Sequence, residues 1–302
     1  MALVGSEVAT GEAAAAVAEL EHEAPVAPSQ ESRGGAGGKL FSVLVVLICA
    51  VFFIFPLLAM GRFAFQSVPM VRLGASTLFK NWSWHGITDA FHQKHFSATF
   101  TLSMWLALGT VVLTLALLLP TTLWVHLRVP RARAFVEFLT VLPYVIPPIA
   151  LVAGIRVIQP HVIWFLDSNY SLIPFYVVLA LPFTFRALDA GIRAVDIRTL
   201  VDASRSLGAG WGTTFRRALI PNLRTAIISS SFLTVAVVLG EFTIARVLLK
   251  DTLPVFLFDY EAQSPQGGLG FGLVLLVATT ALFGLLTVVT RKRGAARAVT
   301  VF

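Results

Sequence analysis

Residues 40–60 read LFSVLVVLICAVFFIFPLLAM, a stretch without a single charge. The hydrocarbon core of a bilayer takes about 20 apolar residues per helix, and a backbone placed there must satisfy its own hydrogen bonds. The pattern returns at 100–125, 135–156, 172–188, 225–245 and 270–290, with proline or an occasional charge inside several of the runs. The chain is therefore expected to be an all-α polytopic membrane protein with six transmembrane helices. Composition agrees: 57% of residues are hydrophobic and 13% charged, against about a quarter charged in soluble domains. The only cysteine, Cys49, lies inside the first apolar run, so neither a disulfide framework nor a cysteine-based metal site is expected.

Residues 1–38 form a separate zone, rich in Ala, Gly and Glu and without aromatic residues. They lack a basic segment followed by an apolar one, so they do not read as a cleavable signal peptide. The expectation is a disordered cytoplasmic tail, with the membrane domain occupying 39–302. The net charge of +7 could point to nucleic acid, but the placement of the charges argues otherwise. With the N-terminus inside, sixteen of the 23 Lys and Arg fall on the cytoplasmic side. Seven of these, from Arg186 to Arg224, cluster in one loop. The positive-inside rule then sets both termini in the cytoplasm of a multi-pass cell-membrane protein, and no nucleic-acid partner is expected.

That loop contains DASRSLGAGWGTTFRRALIP, residues 202–221, a polar stretch between two apolar runs. Most connections between packed helices need only a few residues. Residues 198–207 read as a short helix, with Asp202 early enough to suit its dipole and Gly208 at the left-handed C-cap position. Gly210 and Gly212 permit a sharp turn. A second short helix over about 213–219 is expected to halt at Pro221 before the next span. The product is an elbow lying across the cytoplasmic face, shaped for a partner's groove.

The order acidic–Ala–small, three residues, Gly, then thirteen steps to Pro resembles the EAA loop of ATP-binding-cassette importer permeases. Here the positions are Asp202, Ala203, Ser204, Gly208 and Pro221. The family most often has Glu first and Ala third, and a branched aliphatic where this chain has Ala218. The order of spans from about 97 to 291 is similar to the five-helix core of type I importer permeases, with 40–60 as an added helix. LPYVIPPIALVAG (142–154), LPFTFRALDAG (181–191) and GEFTIARVLLKDTLPVF (240–256) look more narrowly like the polyamine (spermidine/putrescine) branch. Its neighbours serve ferric ion, thiamine, sulfate and aminoethylphosphonate. The resemblance implies that the loop 198–221 is a coupling helix docked on a cytoplasmic ATPase dimer. It also implies a second permease subunit, a related paralogue or another copy, and an extracytoplasmic solute-binding protein that delivers the cargo. ATP and Mg would be bound by the ATPase; the chain itself would be neither an enzyme nor a cofactor carrier.

Glu241 lies about 25 Å along its helix from Arg224, where a carboxylate must face protein or a watery cavity. It is a candidate for attracting a cationic cargo, and equally a structural anchor, the reading favoured here. Pro143, Pro147 and Pro148 fall mid-span, where irregular backbone is tolerated only against protein or a cavity, so they are further candidates for the translocation pathway. Ser229, Ser230 and Ser231 are expected to hydrogen-bond to neighbouring helices. Arg186, Asp189 and Arg193 form a potential ladder on a solvated helix extension. His85, His92 and His95 lie among interfacial tryptophans, and no metal site is expected there. The sequence has no GxxxxGK[ST] loop, no HExxH and no GxSxG, so the chain does not carry those hydrolytic chemistries. A second class of function, an ion-driven secondary transporter with Glu241 as proton carrier, would leave the elbow unexplained.

Overall fold

A computed structural model of the chain describes residues 36–66 and 82–298. The expected tail and much of the outer segment 61–97 thus fall outside the described residues. The chain divides into two compact units, the first ending at Leu58. Among the described residues the secondary structure is helical, apart from one isolated bridge between Gln66 and Trp82. Helix α1 is Ala36–Ala64, α2 His85–His92 and α3 Phe96–Arg128. A 3-10 turn leads into α4, Arg133–Val145, followed by α5, Pro148–Leu166, and α6, Leu172–Arg193. Then come α7, Ile197–Ser206, the long α8, Trp211–Gly240, α9, Thr243–Val247, α10, Leu253–Gln263, and α11, Pro265–Ala298.

Among the described residues, four helical segments are long and apolar enough to cross a membrane: Leu40–Ala64, Phe96–Arg128, Asn169–Arg193 and Trp211–Gly240. The run expected at 135–156 is a broken span. Pro130–Val145 and Pro148–Ile155 meet at an 80° bend. Each residue before a proline is pushed out of the α region by the proline ring. Pro147 and Pro148 stand in tandem, so Ile146 (φ −80°, ψ 121°) and Pro147 (φ −55°, ψ 136°) both become extended, and the helix breaks there. Pro143 does not break its helix; its carbonyl accepts the N–H of Ile146 at 3.2 Å. The run expected at 270–290 falls within α11, whose described apolar stretch is Pro265–Ala281. The chain is an all-α, polytopic membrane protein.

Helices α3, α6 and α8 pack against one another. At the end nearest α7, Leu119, Leu123, Phe185, Leu188, Val201 and Leu223 form one buried cluster. At the opposite end, Leu106, Val152, Tyr176, Val238 and Ile244 form another. Small residues let α6 and α8 approach closely, as membrane helices do when packing rather than water drives association. A Cβ on Gly191 would lie 2.2 Å from the Cβ of Ala226. Farther along the same pair, the hydroxyls of Thr184 and Thr234 hydrogen-bond at 2.8 Å. The serine run behaves differently from expectation. Ser230 and Ser231 both donate to the carbonyl of Ile227 in their own helix, at 2.9 and 2.7 Å. A hydroxyl one turn from a helix carbonyl reaches it more readily than it reaches a neighbouring helix, and the cross-helix bond falls to Thr234 instead.

Candidate functional site

The polar stretch between α6 and α8 folds as an elbow. Its first helix begins at Ile197, capped by Asp196, whose Oδ1 accepts the backbone N–H of Thr199 at 3.2 Å. The Thr199 hydroxyl donates to the other carboxylate oxygen at 2.7 Å. These bonds hold the Asp196 carboxyl below the usual carboxylate range, the hydroxyl being the larger cause. The expected dipole partner, Asp202, sits in mid-helix and is exposed. Asp196 caps the helix because the residue three beyond it supplies both an N–H and a hydroxyl.

Helix α7 ends as the glycine requires. Gly208 adopts φ +82°, its N–H donates to Arg205 at 2.9 Å, and the N–H of Ala209 reaches back to Ser204 at 3.1 Å. These two bonds define a Schellman motif, for which a left-handed glycine is the favoured closing residue. Nothing lies within 4 Å of the place a Cβ would occupy on Gly208. Beside it Leu207 is 89% exposed, an apolar side chain at the tip of a polar loop.

Beyond the turn, α8 does not stop at Pro221. Its early part, Thr214–Leu219, is a π-helix, and the N–H of Ile220 donates to Phe215, five residues back. A π turn shifts the hydrogen-bond register by one residue, and Pro221, which has no N–H, follows directly. The side-chain amide of Asn222 donates to the Ala218 carbonyl at 2.7 Å. The second short helix expected over 213–219 is thus the opening of a continuous span.

The five motif positions divide by direction. Asp202 and Ala203 face outward and are exposed. Ser204 is half-buried, and its hydroxyl lies 3.2 Å from that of Thr214, joining the two arms of the elbow. Gly208 makes the turn, and Pro221 lies inside α8. Beneath them, Ile197 and Val201 of α7 and Leu219 of α8 are buried against Leu123, Leu188 and Ile192. The elbow therefore rests on the core while presenting Asp202, Ala203, Leu207 and Gly208 outward.

Trp211, at the start of α8, was not singled out from the sequence. The guanidiniums of Arg205 and Arg128 lie 5.0 and 5.9 Å from its ring centroid. Its signal was available: a tryptophan at the mouth of a span among basic residues is a membrane-interface anchor.

An ionic cluster stands beside the elbow. Asp189, 3% exposed, receives Nε and Nη2 of Arg133 at 2.7 and 2.8 Å. Arg193 Nη2 lies 3.0 Å from it and His126 Nε2 3.2 Å. Arg186 turns instead to Glu137 of α4, at 3.6 Å. Of the expected ladder, the Asp189–Arg193 rung forms and both arginines are exposed, but Asp189 is buried and Arg186 pairs with another helix. A buried carboxylate needs several donors, and α3 and α4 supply them.

At the other end of the spans, Glu241 follows the last residue of α8 and is buried. Its Oε1 accepts the N–H of Ile244 at 2.8 Å, and Oε2 that of Ala245 at 3.4 Å. The carboxylate thus closes the break between α8 and α9. A cavity of about 430 Å³ opens beside it, lined by Tyr144, Ile146, Pro148, Phe183, Val237 and Thr243 among others. The structure brings Glu241 and Pro148 to this one cavity; Pro143 and Pro147 do not line it, although Pro147 makes the bend that aims Pro148 there. Among the described residues, no three or more His, Cys, Asp or Glu are grouped as metal ligands would be.

Comparison with known proteins bears on the whole membrane domain. Residues 119–294 match the family described as binding-protein-dependent transport system inner membrane component. A Streptomyces antibioticus protein named as an ABC transporter permease is 28% identical over 198 residues, 61% of this chain and 84% of its own length. A Sinorhizobium fredii protein named as an ABC transporter permease is 25% identical over 68% of this chain. A Haemophilus influenzae protein named as a ferric transport system permease is 25% identical over 65%. The match spans only 37% and 34% of those last two proteins. The chain belongs to the binding-protein-dependent transport system inner membrane component family, and it is a multi-pass permease subunit of an ABC transporter.

Proposed function

We propose that the chain forms half of a twofold or pseudo-twofold pore in a type I ABC importer, paired with a related permease or a second copy. A cytoplasmic ATPase dimer supplies the energy and binds ATP and Mg; an extracytoplasmic binding protein delivers the solute. The observation that carries this reading is the elbow, with exposed Asp202, Ala203, Leu207 and Gly208 held on a buried apolar base. Asp202, Ala203, Leu207 and Gly208 stand together on one side of the elbow while its other side is buried, a shape that a partner's groove can receive. The distribution of Lys and Arg puts this elbow and both termini on the cytoplasmic side. The cavity beside Tyr144, Pro148 and Glu241 is the part of the pathway this subunit contributes.

For the cargo, a polyamine is supported by the stretches 142–154, 181–191 and 240–256. Glu241 gives that reading little help, because its carboxylate oxygens already accept backbone N–H groups. Ferric ion is a second reading, favoured by the Haemophilus influenzae relative's name. Both are tested by one experiment. The full complex, with its ATPase and binding protein in liposomes, is assayed for ATP hydrolysis with spermidine, putrescine, ferric ion, thiamine, sulfate and aminoethylphosphonate in turn. Stimulation by polyamines alone supports the first cargo, and by ferric ion alone the second. Solute uptake by this polypeptide without any ATPase would overturn the importer reading in favour of an ion-driven carrier.

A further inference from the structure

Two cavities meet at the base of the elbow and differ in chemistry. One, of about 430 Å³, is walled by apolar side chains of α3 and α8, among them Leu123, Trp124, Phe215 and Leu219. The other, of about 420 Å³, is walled by Arg128, Arg198 and Arg205 with one opposing carboxylate, Asp202. They share Leu127, Arg128 and Trp211. Arg128 ends a helix of 33 residues and Trp211 begins one of 30; at about 50 and 45 Å both overrun a hydrocarbon core of about 30 Å, so the junction lies toward the headgroup end of the two spans. Arg128 and Arg205 are both drawn over the Trp211 ring, which holds their guanidiniums at the mouth of the charged cavity while their stems cover apolar surface.

We propose that this composite cavity is a binding site for an anionic phospholipid. The acyl chain lies between α3 and α8 along Leu123, Trp124 and Phe215, and the phosphate is bound by Arg128, Arg198 and Arg205. Three guanidiniums face one carboxylate, so the charged half attracts an anion. A guanidinium matches phosphate oxygens through paired N–H donors, which an ammonium cannot do. A soluble anion leaves the apolar half empty, and a neutral lipid leaves the three guanidiniums facing one carboxylate, with Arg198 also donating to the His126 carbonyl at 3.4 Å. Only an anionic amphiphile fills both. Basic pockets between membrane helices recognise such headgroups by this combination. A lipid so placed touches the end of α3, helix α7 and the start of α8 together, and braces the elbow against the spans.

The test uses the full importer complex and a phosphatidylglycerol carrying a photoactivatable diazirine in its acyl chain. Cross-linked peptides are mapped by mass spectrometry. Labelling is expected on residues 120–128 and 211–219. Unlabelled phosphatidylglycerol should displace it at an amount about 30-fold lower than phosphatidylcholine, from roughly 1 kcal/mol for each of the two net positive charges that three arginines and Asp202 leave. The combined change Arg128→Gln and Arg205→Gln should abolish that preference while leaving tail labelling in place. Equal displacement by the two lipids overturns the proposal, as does labelling confined to other spans. Displacement by glycerol 3-phosphate as effective as by the lipid makes the site one for soluble phosphate esters and overturns the lipid assignment. If the double variant does not assemble, the competition on the unaltered complex decides alone.

Discussion

Arg133 holds Asp189 by two parallel hydrogen bonds, 2.7 and 2.8 Å long, across 56 residues of sequence. The pair joins the start of α4, whose far end is the bend at Ile146–Pro147, to α6, which leads four residues later into the elbow. Arg193 and His126 complete the shell around the carboxylate. Replacing Arg133 by Ala leaves a buried charge with two remaining partners. The expected loss is about 2–3 kcal/mol, below the roughly 3–5 kcal/mol for breaking a fully buried pair, because Arg133 itself is partly exposed. Thermal unfolding of Arg133→Ala, Asp189→Ala and the double variant forms a cycle. A double variant as unstable as the two single losses added together would show that the pair is not coupled.

Gly208 separates backbone from partner. No atom of the chain lies within 4 Å of the place its Cβ would occupy, so an added Cβ meets no neighbour within this chain. Gly208→Ala costs about 1–2 kcal/mol for the left-handed backbone, whereas Gly208→Asn tolerates that conformation. If the elbow docks on an ATPase, both variants uncouple hydrolysis from transport, because both add bulk to the tip. Loss with Ala but not with Asn would assign the effect to the turn alone.

Gly191 is a packing glycine. Gly191→Ala forces its new Cβ to within 2.2 Å of that of Ala226 unless the helices separate. Overpacking of this kind costs about 1–3 kcal/mol. Adding Ala226→Gly removes the clash, and the swapped pair should unfold within a few degrees of the parent.

Glu241→Gln keeps one oxygen for the N–H of Ile244 and should lose about 1 kcal/mol. Glu241→Ala orphans the N–H groups of Ile244 and Ala245 and should lose about 2–3 kcal/mol. With an anchoring role, uptake follows stability, and Gln retains it within a few-fold. An uptake loss confined to cationic solutes, with the Gln variant stably folded, would move Glu241 into the cargo path.

The cap at Asp196 titrates with a defined sign. Its carboxyl is held below the usual carboxylate range by Thr199. The cap's contribution is therefore complete above the unfolded-state pKa and fades as pH falls through the lower, folded-state pKa. Asp196→Asn preserves an acceptor that does not titrate, so a comparison of α7 protection by hydrogen exchange at neutral and acidic pH should show fading in the parent only.

Much of this architecture is legible in the sequence because the bilayer makes a blunt demand: long apolar runs must be helices. The elbow's turn is legible too, since glycine after the last apolar residue of a short helix has one common use. The failures come where two local signals compete or where the deciding partner is distant. Asp202 reads as the charge that suits the helix dipole, but the helix begins one residue earlier than expected, at Ile197, where Asp196 caps it because Thr199 supplies both donors. Pro221 reads as a stop unless a π turn shifts the register ahead of it. Ser230 and Ser231 look like interhelical glue, yet their own helix offers a nearer carbonyl. Asp189 looks solvated in a row of arginines, and only Arg133 and His126, far off in sequence, explain its burial.

The continuity of α8 has a mechanical meaning. Its 30 residues make a rod about 45 Å long, with Trp211 at the elbow and Gly240 in the wall of the cavity beside Glu241. A proline that ended the helix, as the sequence suggests, would have put a joint between those two places. Without that joint the rod is a lever, and a load applied at its Trp211 end reaches the cavity wall as movement of one solid piece.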